Sequence, residues 1–162
     1  MALYFLDTSA LVKRYVLETG TAWVQSLTSP TTGHSLFISR ITQVETISAV
    51  IRRVRGGPLT ARDSSTVLSD FGYDLTLQYR IIEISTGVIN QAAILVERHA
   101  LRAYDAVQLS SAFEMRKQAP SLVLVSADAE LNASAASEHL LVDNPNIYPE
   151  PPYWSTFYLK MS

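Results

Sequence analysis

Apolar positions along the chain fall into two patterns. Short, largely apolar runs at residues 2–6, 35–38, 79–84, 121–125 and 140–142 predict strands, the first of them unbroken and read as buried in a parallel sheet. Longer stretches with apolar residues three and four apart predict helices from 8 to about 17, 21–27, 42 to about 55, 60 to about 77, 86–99 and 103–117. A short Ala-rich helix follows Asp128, and the last strand is read as an edge. The breaks between segments carry turn chemistry. Asp7-Thr8-Ser9 offers helix N-caps directly after the first strand, Ser29-Pro30-Thr31-Thr32-Gly33 is a loop by composition, and Gly56-Gly57-Pro58 stops a helix. Thr42-Gln43-Val44-Glu45 has the form of a capping box.

Strands alternating with single helices or helix pairs predict an α/β domain around a parallel sheet. No repeat or linker divides the first 144 residues, so 1–145 is read as one domain. Beyond it, Pro145, Pro149, Pro151 and Pro152 mix with Tyr148, Tyr153, Trp154, Phe157 and Tyr158, and 146–162 is read as an appended tail that docks its aromatics.

Composition removes several chemistries. There is no Cys, so disulfides, iron–sulfur clusters, Cys-bearing zinc sites and thiol nucleophiles are excluded. No apolar run reaches membrane-spanning length, and no basic segment or cleavage site precedes the first strand, so neither a membrane protein nor a signal peptide is expected. A cytoplasmic location is the expectation. The net charge of −2 argues against a surface coated in nucleic acid, so any such contact must be a local patch. The three His residues, 34, 99 and 139, are scattered, and Gly-rich phosphate loops and nucleophile elbows are absent.

The acids are left. In open α/β sheets ligands bind outside the carboxyl ends of the strands. Asp7 follows the first strand, Asp128 the fourth, Glu45 opens the helix after the second, and Asp105 lies in the first turn of the helix from 103. Singly, each is explained as a helix-capping or dipole-favoured acid. Together they would repel in one crevice, by about 4 kcal/mol for a close pair at an effective dielectric of 20. A hard divalent cation, Mg²⁺ or Mn²⁺, suits oxygen ligands and would relieve this. Such ions activate water and support phosphodiester cleavage.

Leu6-Asp7-Thr8-Ser9-Ala10-Leu11, Val44-Glu45, Tyr104-Asp105-Ala106-Val107-Gln108-Leu109 and Ser126-Ala127-Asp128-Ala129-Glu130-Leu131 resemble, in order and spacing, the four signature segments of PIN-domain proteins, and most of all the VapC-like toxins of toxin–antitoxin pairs. The likeness spans about residues 2–145. It implies a five-stranded parallel sheet, a Mg²⁺- or Mn²⁺-dependent endoribonuclease acting on RNA, a homodimer and an antitoxin partner. Carried over by position, Asp7, Glu45, Asp105 and Asp128 match the family's acidic cluster, and Thr8 and Ser9 match the polar pair beside the first acid. The family usually places a Gly before the last strand, where this chain has Ser137-Glu138-His139.

For phosphate contacts, Arg40 and Arg102 are favoured, because each sits in a connection leading to an acidic helix. Arg52, Arg53 and Arg55 end a helix, where the dipole favours cations anyway. An apolar strip bounded by the helices 42–55 and 60–77 is expected to serve the dimer or the antitoxin. Two rivals stand beside the nuclease reading. A haloacid-dehalogenase-like phosphatase would need a second acid where Ser9 stands. A PIN-like module kept only for binding would not need all four acids.

Overall fold

In the computed structural model, which describes residues 1–149, the apolar runs form one sheet of β1 (Leu3–Leu6), β2 (Ser35–Ser39), β3 (Tyr79–Ile82), β4 (Val123–Val125) and β5 (Leu141–Asp143). The order is β3-β2-β1-β4-β5 and every neighbouring pair is parallel. In register, Phe5 stands beside Phe37 on one side and Leu124 on the other. The helices are α1 (Thr8–Leu11), α2 (Thr21–Leu27), α3 (Arg40–Gly56), α4 (Ala61–Leu77), α5 (Thr86–His99), α6 (Ala103–Arg116) and α7 (Ala129–Ser137).

Strand alternation divides the core. Phe5, Phe37 and Leu124 point to one face and pack with Val88 and Leu95 of α5, Leu109 and Phe113 of α6 and Leu131 of α7. Their neighbours Leu6, Leu36, Ile38 and Val125 point to the other and meet Leu11 of α1, Leu27 of α2 and Phe71 of α4. Each such side chain contributes about 1.5–3 kcal/mol by leaving water. Sheet-wide burial on both faces is why these strands read as largely apolar runs.

The structure corrects the sequence reading in four places. The helix read from 8 to about 17 is only α1, continued by a 3₁₀ turn at Val12–Arg14, which carries the Arg14 and Tyr15 side chains to α4 and β3. There is no capping box at Thr42. Helix α3 begins two residues earlier, after Ser39, because Thr42 is buried and its hydroxyl turns inward to Gln108. The apolar stripe of α4 is spent on the chain's own core, with Val67 and Phe71 buried. The exposed strip therefore lies on α3, at Val44, Ile47 and Ile51. Finally, the position where a Gly was looked for is taken by His139, which adopts the left-handed conformation at φ 59°.

Part of the segment beyond 145 is described. The 3₁₀ turn Pro145–Ile147 lies over α2, and Tyr148 stacks on Trp23 with ring centroids 4.4 Å apart. Gly20, at φ +87°, is needed there, since a Cβ would stand 2.2 Å from the Pro145 carbonyl oxygen. Tyr153, Trp154, Phe157 and Tyr158 lie outside the described residues. Among the described residues, no helix is long and apolar enough to cross a membrane.

Candidate functional site: a carboxylate crevice at the strand switch

From β1 the chain builds outward to β2 and β3, then returns to place β4 on the other side of β1. Connections leave β1 and β4 in opposite directions and open a crevice between them. Asp7 stands at its floor. Its backbone N–H donates to the Val125 carbonyl at 3.0 Å, which ties the end of β1 to the end of β4. Its side chain caps α1 by accepting from the Ser9 N–H at 3.1 Å. The Ser9 hydroxyl donates to the same Asp7 oxygen, Oδ2, at 2.5 Å and accepts the Ala127 N–H at 2.9 Å. The fully buried Ser126 hydroxyl also reaches Asp7 Oδ2, at 3.2 Å, and accepts the Asp128 N–H. Asp128 caps α7 through Oδ1 and the Leu131 N–H, 2.9 Å apart.

The opposite wall comes from α3 and α6. Glu45 Oε2 accepts the Thr8 hydroxyl at 2.8 Å and the Gln108 amide at 2.6 Å. Gln108 is completely buried, and its amide nitrogen also faces Thr42 Oγ1 at 2.9 Å and Thr8 Oγ1 at 3.0 Å. With two N–H groups for three acceptors, the amide is fully committed and fixes Glu45 against α6. Asp105 sits one turn earlier on α6, half-buried, with Arg102 at the N-cap.

The electrostatics follow from this crowding. Burial pushes the Asp105 carboxyl up to about 6, and the charges of Asp7, Asp128 and Glu45 add to it, while Arg102 works against them. Asp7 is also raised, first by burial, with the Ser9 hydrogen bonds opposing and Glu45 reinforcing. Asp105 thus feels each of the other three acids, and Asp7 feels Glu45.

No protein-family model matches the chain. Among curated proteins it is similar to "Ribonuclease VapC45" of Mycobacterium tuberculosis, 30% identical over 135 residues, 83% of this chain and 90% of that protein. The chain belongs to the VapC ribonuclease family. Solved structures share the fold at lower identity. A chain of a toxin–antitoxin complex from Klebsiella pneumoniae aligns with TM-score 0.61 and 19% identity over 90% of this chain and 98% of its own. One of VapBC2 from Rickettsia felis, bound to a promoter DNA fragment, aligns with TM-score 0.60 and 17% identity over 88% of this chain and 98% of its own.

The VapC-like crevice has donors suited to a hard cation. Among the described residues, Asp7, Glu45 and Asp128 each use one oxygen in hydrogen bonds, and Asp105 uses neither. No three such side chains stand at ligand spacing around one point among the described residues. Glu45 and Asp128 each keep one carboxylate oxygen outside these hydrogen bonds, so the acids would have to draw closer together to share an ion. In chemistry, an all-oxygen set in a chain without Cys fits Mg²⁺ or Mn²⁺.

Thr8 and Ser9 are placed as expected, but their hydroxyls already serve Glu45 and Asp7. Arg102 flanks Asp105, whereas Arg40 is exposed and gripped by Glu83, its Nε 3.0 Å from Oε2. That pairing holds the Glu83 carboxyl below its usual range. Two residues with clear places in the site carried no role in the sequence reading, Gln108 and Ser126. A signal existed for Gln108: it stands three residues after Asp105, on the same helix face, amid residues that are otherwise apolar or small.

Proposed function

We propose that this VapC-family chain is a Mg²⁺- or Mn²⁺-dependent endoribonuclease, the toxin of a toxin–antitoxin pair, working as a homodimer restrained by an antitoxin protein. The observation that carries the reading is the placement of Asp7 and Asp128 at the ends of β1 and β4, with Glu45 held by Thr8 and Gln108 and Asp105 one turn before Gln108 on α6. These four would hold the ion or ions, which when bound supply charge neutralisation and activation of water for phosphodiester hydrolysis. The chain's own contributions are distinct. Ser9 and Ser126 hold Asp7, and Gln108 with Thr8 holds Glu45. Arg102, at the N-cap of α6, offers its cation to the RNA phosphate beside Asp105. Asp105, whose carboxylate carries no hydrogen bond among the described residues, is the acid most free to hold an ion or to orient the attacking water. The antitoxin and the second subunit find apolar surface on α3 outside the groove beside Glu45, at Ile47 and Ile51. The test is incubation of single-stranded RNA with the protein in Mg²⁺ or Mn²⁺ and in EDTA. Internal cleavage with metal alone is the expected result, and none under either metal would overturn the reading.

A further inference from the structure

Beside the crevice, a groove of about 330 Å³ runs between α3 and the start of α6. It shares Thr8 and Glu45 with the crevice, so the two are continuous. Its walls are Ile41 and Val44 on one side and Tyr104 on the other, with Ser48 and Arg52 at the far end. We propose that this groove is a nucleotide subsite: one base of single-stranded RNA stacks on Tyr104 over the apolar wall, and the adjoining phosphate is held by Arg52. The proposal rests on the ribonuclease reading and adds the residues that position the strand.

Three observations carry it. Tyr104 directly precedes Asp105 yet is 61% exposed, and Val44 facing the same groove is 68% exposed. An aromatic ring left open at the mouth of a nuclease crevice gives any base a flat apolar partner. Arg52 is the second. Its neighbour Arg53 is held by Glu18, with Nε 2.9 Å from Oε1, and Arg40 by Glu83. Arg52 donates only to the Ser48 hydroxyl, at 3.2 Å, and among the described residues it has no carboxylate partner. Its charge is therefore available to a phosphate. The third is size and order. The volume sits at the small end of ligand pockets, roughly one nucleotide. Tyr104 and Arg52 line the same groove, and Tyr104 is followed directly in the chain by Asp105 of the crevice, so a strand lying in the groove leads to the acids.

The test uses full-length protein carrying Asp105→Asn to prevent cleavage, with a short mixed-sequence single-stranded RNA bound at several salt concentrations. Tyr104→Ala should weaken binding about tenfold, within the range of base–aromatic stacking, and Tyr104→Phe should restore it. Arg52→Gln should lower the slope of log affinity against log salt by about 0.7. With Asp105 restored, KM should rise in step with Kd. Tyr73→Ala, on an exposed tyrosine of α4, serves as the matched control and should change nothing. RNA binding that neither Tyr104→Ala nor Arg52→Gln alters would overturn the subsite and leave the ribonuclease reading standing. Loss of a protein partner's binding with RNA affinity intact would give the groove to that partner and overturn the subsite too. No RNA binding by the Asp105→Asn parent, with cleavage by the wild type intact, would overturn the subsite alone; no cleavage by the wild type would overturn the ribonuclease reading with it.

Discussion

Two clusters of buried polar groups sit in this molecule, and they are built on opposite terms. One joins the 3₁₀ turn after α1 to α4 and β3. There Arg14 Nε lies 3.0 Å from Asp74 Oδ2 and Arg14 Nη1 donates to the Thr28 carbonyl at 2.7 Å. The Tyr15 hydroxyl donates to Asp74 at 2.7 Å and meets the Tyr79 hydroxyl at the same distance. Cation and carboxylate are balanced. Burial pushes both tyrosines well above their ordinary range; the bonds to Tyr79 and Asp74 add to this at Tyr15, while Arg14 and the bond to Tyr15 oppose it at Tyr79. The other cluster is the crevice, where four carboxylates face one another and only Arg102 opposes them at Asp105. A balanced cluster fastens elements together. An unbalanced one carries a repulsion that a proton or a cation would relieve, and this contrast supports the proposal that the crevice is the working part of the fold.

The comparison breaks first at Asp105. Asp105→Asn keeps the shape and removes a proposed metal ligand. RNA cleavage should fall by at least a hundredfold, beyond the roughly 10–100-fold typical of outer-shell changes. A variant that still cuts at near the wild-type rate would remove Asp105 from the site. Gln108→Leu should act one step back. It frees Glu45 from α6 and should reduce cleavage or metal affinity roughly 10–100-fold. Stability should also drop, by about 1–3 kcal/mol, because the buried Thr42 hydroxyl loses its partner. A metal titration of cleavage separates loss of affinity from loss of rate.

The balanced cluster should respond the other way. Asp74→Asn leaves Arg14 part-buried without its carboxylate, with the pair's side chains 17% and 16% exposed. Stability should drop by about 2–3 kcal/mol, while cleavage at a permissive temperature is retained. Chemical denaturation beside an RNA assay decides it, and lost cleavage in a folded Asp74→Asn protein would tie this cluster to catalysis.

A smaller effect is expected from pH. Asp105 binds its proton more tightly in the folded chain, near 6 against an ordinary 3.8. Between those values the folded state holds a proton that the unfolded state has released. Metal-free stability should therefore fall as pH rises from about 4 to about 6. Because Asp105 is only half-buried, solvent screening holds the effect to something on the order of 1 kcal/mol. Asp7, raised in the same direction, gives the same sign, so Asp105→Asn should flatten the profile without abolishing its slope. A rising profile over that window would contradict the crowding of the crevice.

Much of this was legible in the sequence, for a physical reason. Strands buried on both faces leave largely apolar runs, and acids placed just after them must reach the carboxyl edge whatever the details of packing. Asp7 and Asp128 were found this way, and the order of strands and helices with them. Less legible was whatever depends on a partner far away in sequence. The pairing of Arg40 with Glu83 and the burial of Thr42 against Gln108 involve contacts 43 and 66 residues apart. Local cap chemistry at Thr42 looked sufficient, and the tertiary hydrogen bond overrode it. In one dimension Arg40 is the better phosphate candidate and Arg52 a helix-end cation; the fold occupies the first with a carboxylate and leaves the second on a groove beside Glu45.

The central claim is that the four carboxylates share one space that a divalent ion relieves. Melting curves of the wild type and Asp105→Asn, each in EDTA and in excess Mg²⁺, test it most directly. In EDTA the variant should melt higher, by something on the order of 1 kcal/mol. Part of that gain is offset because an acid in the first turn of α6 is itself favoured by about 0.3–1 kcal/mol. Mg²⁺ at a hundred times its dissociation constant should stabilise the wild type by about 2.7 kcal/mol, and the variant much less. Equal Mg²⁺ shifts in the two proteins, with the variant no more stable in EDTA, would contradict the account.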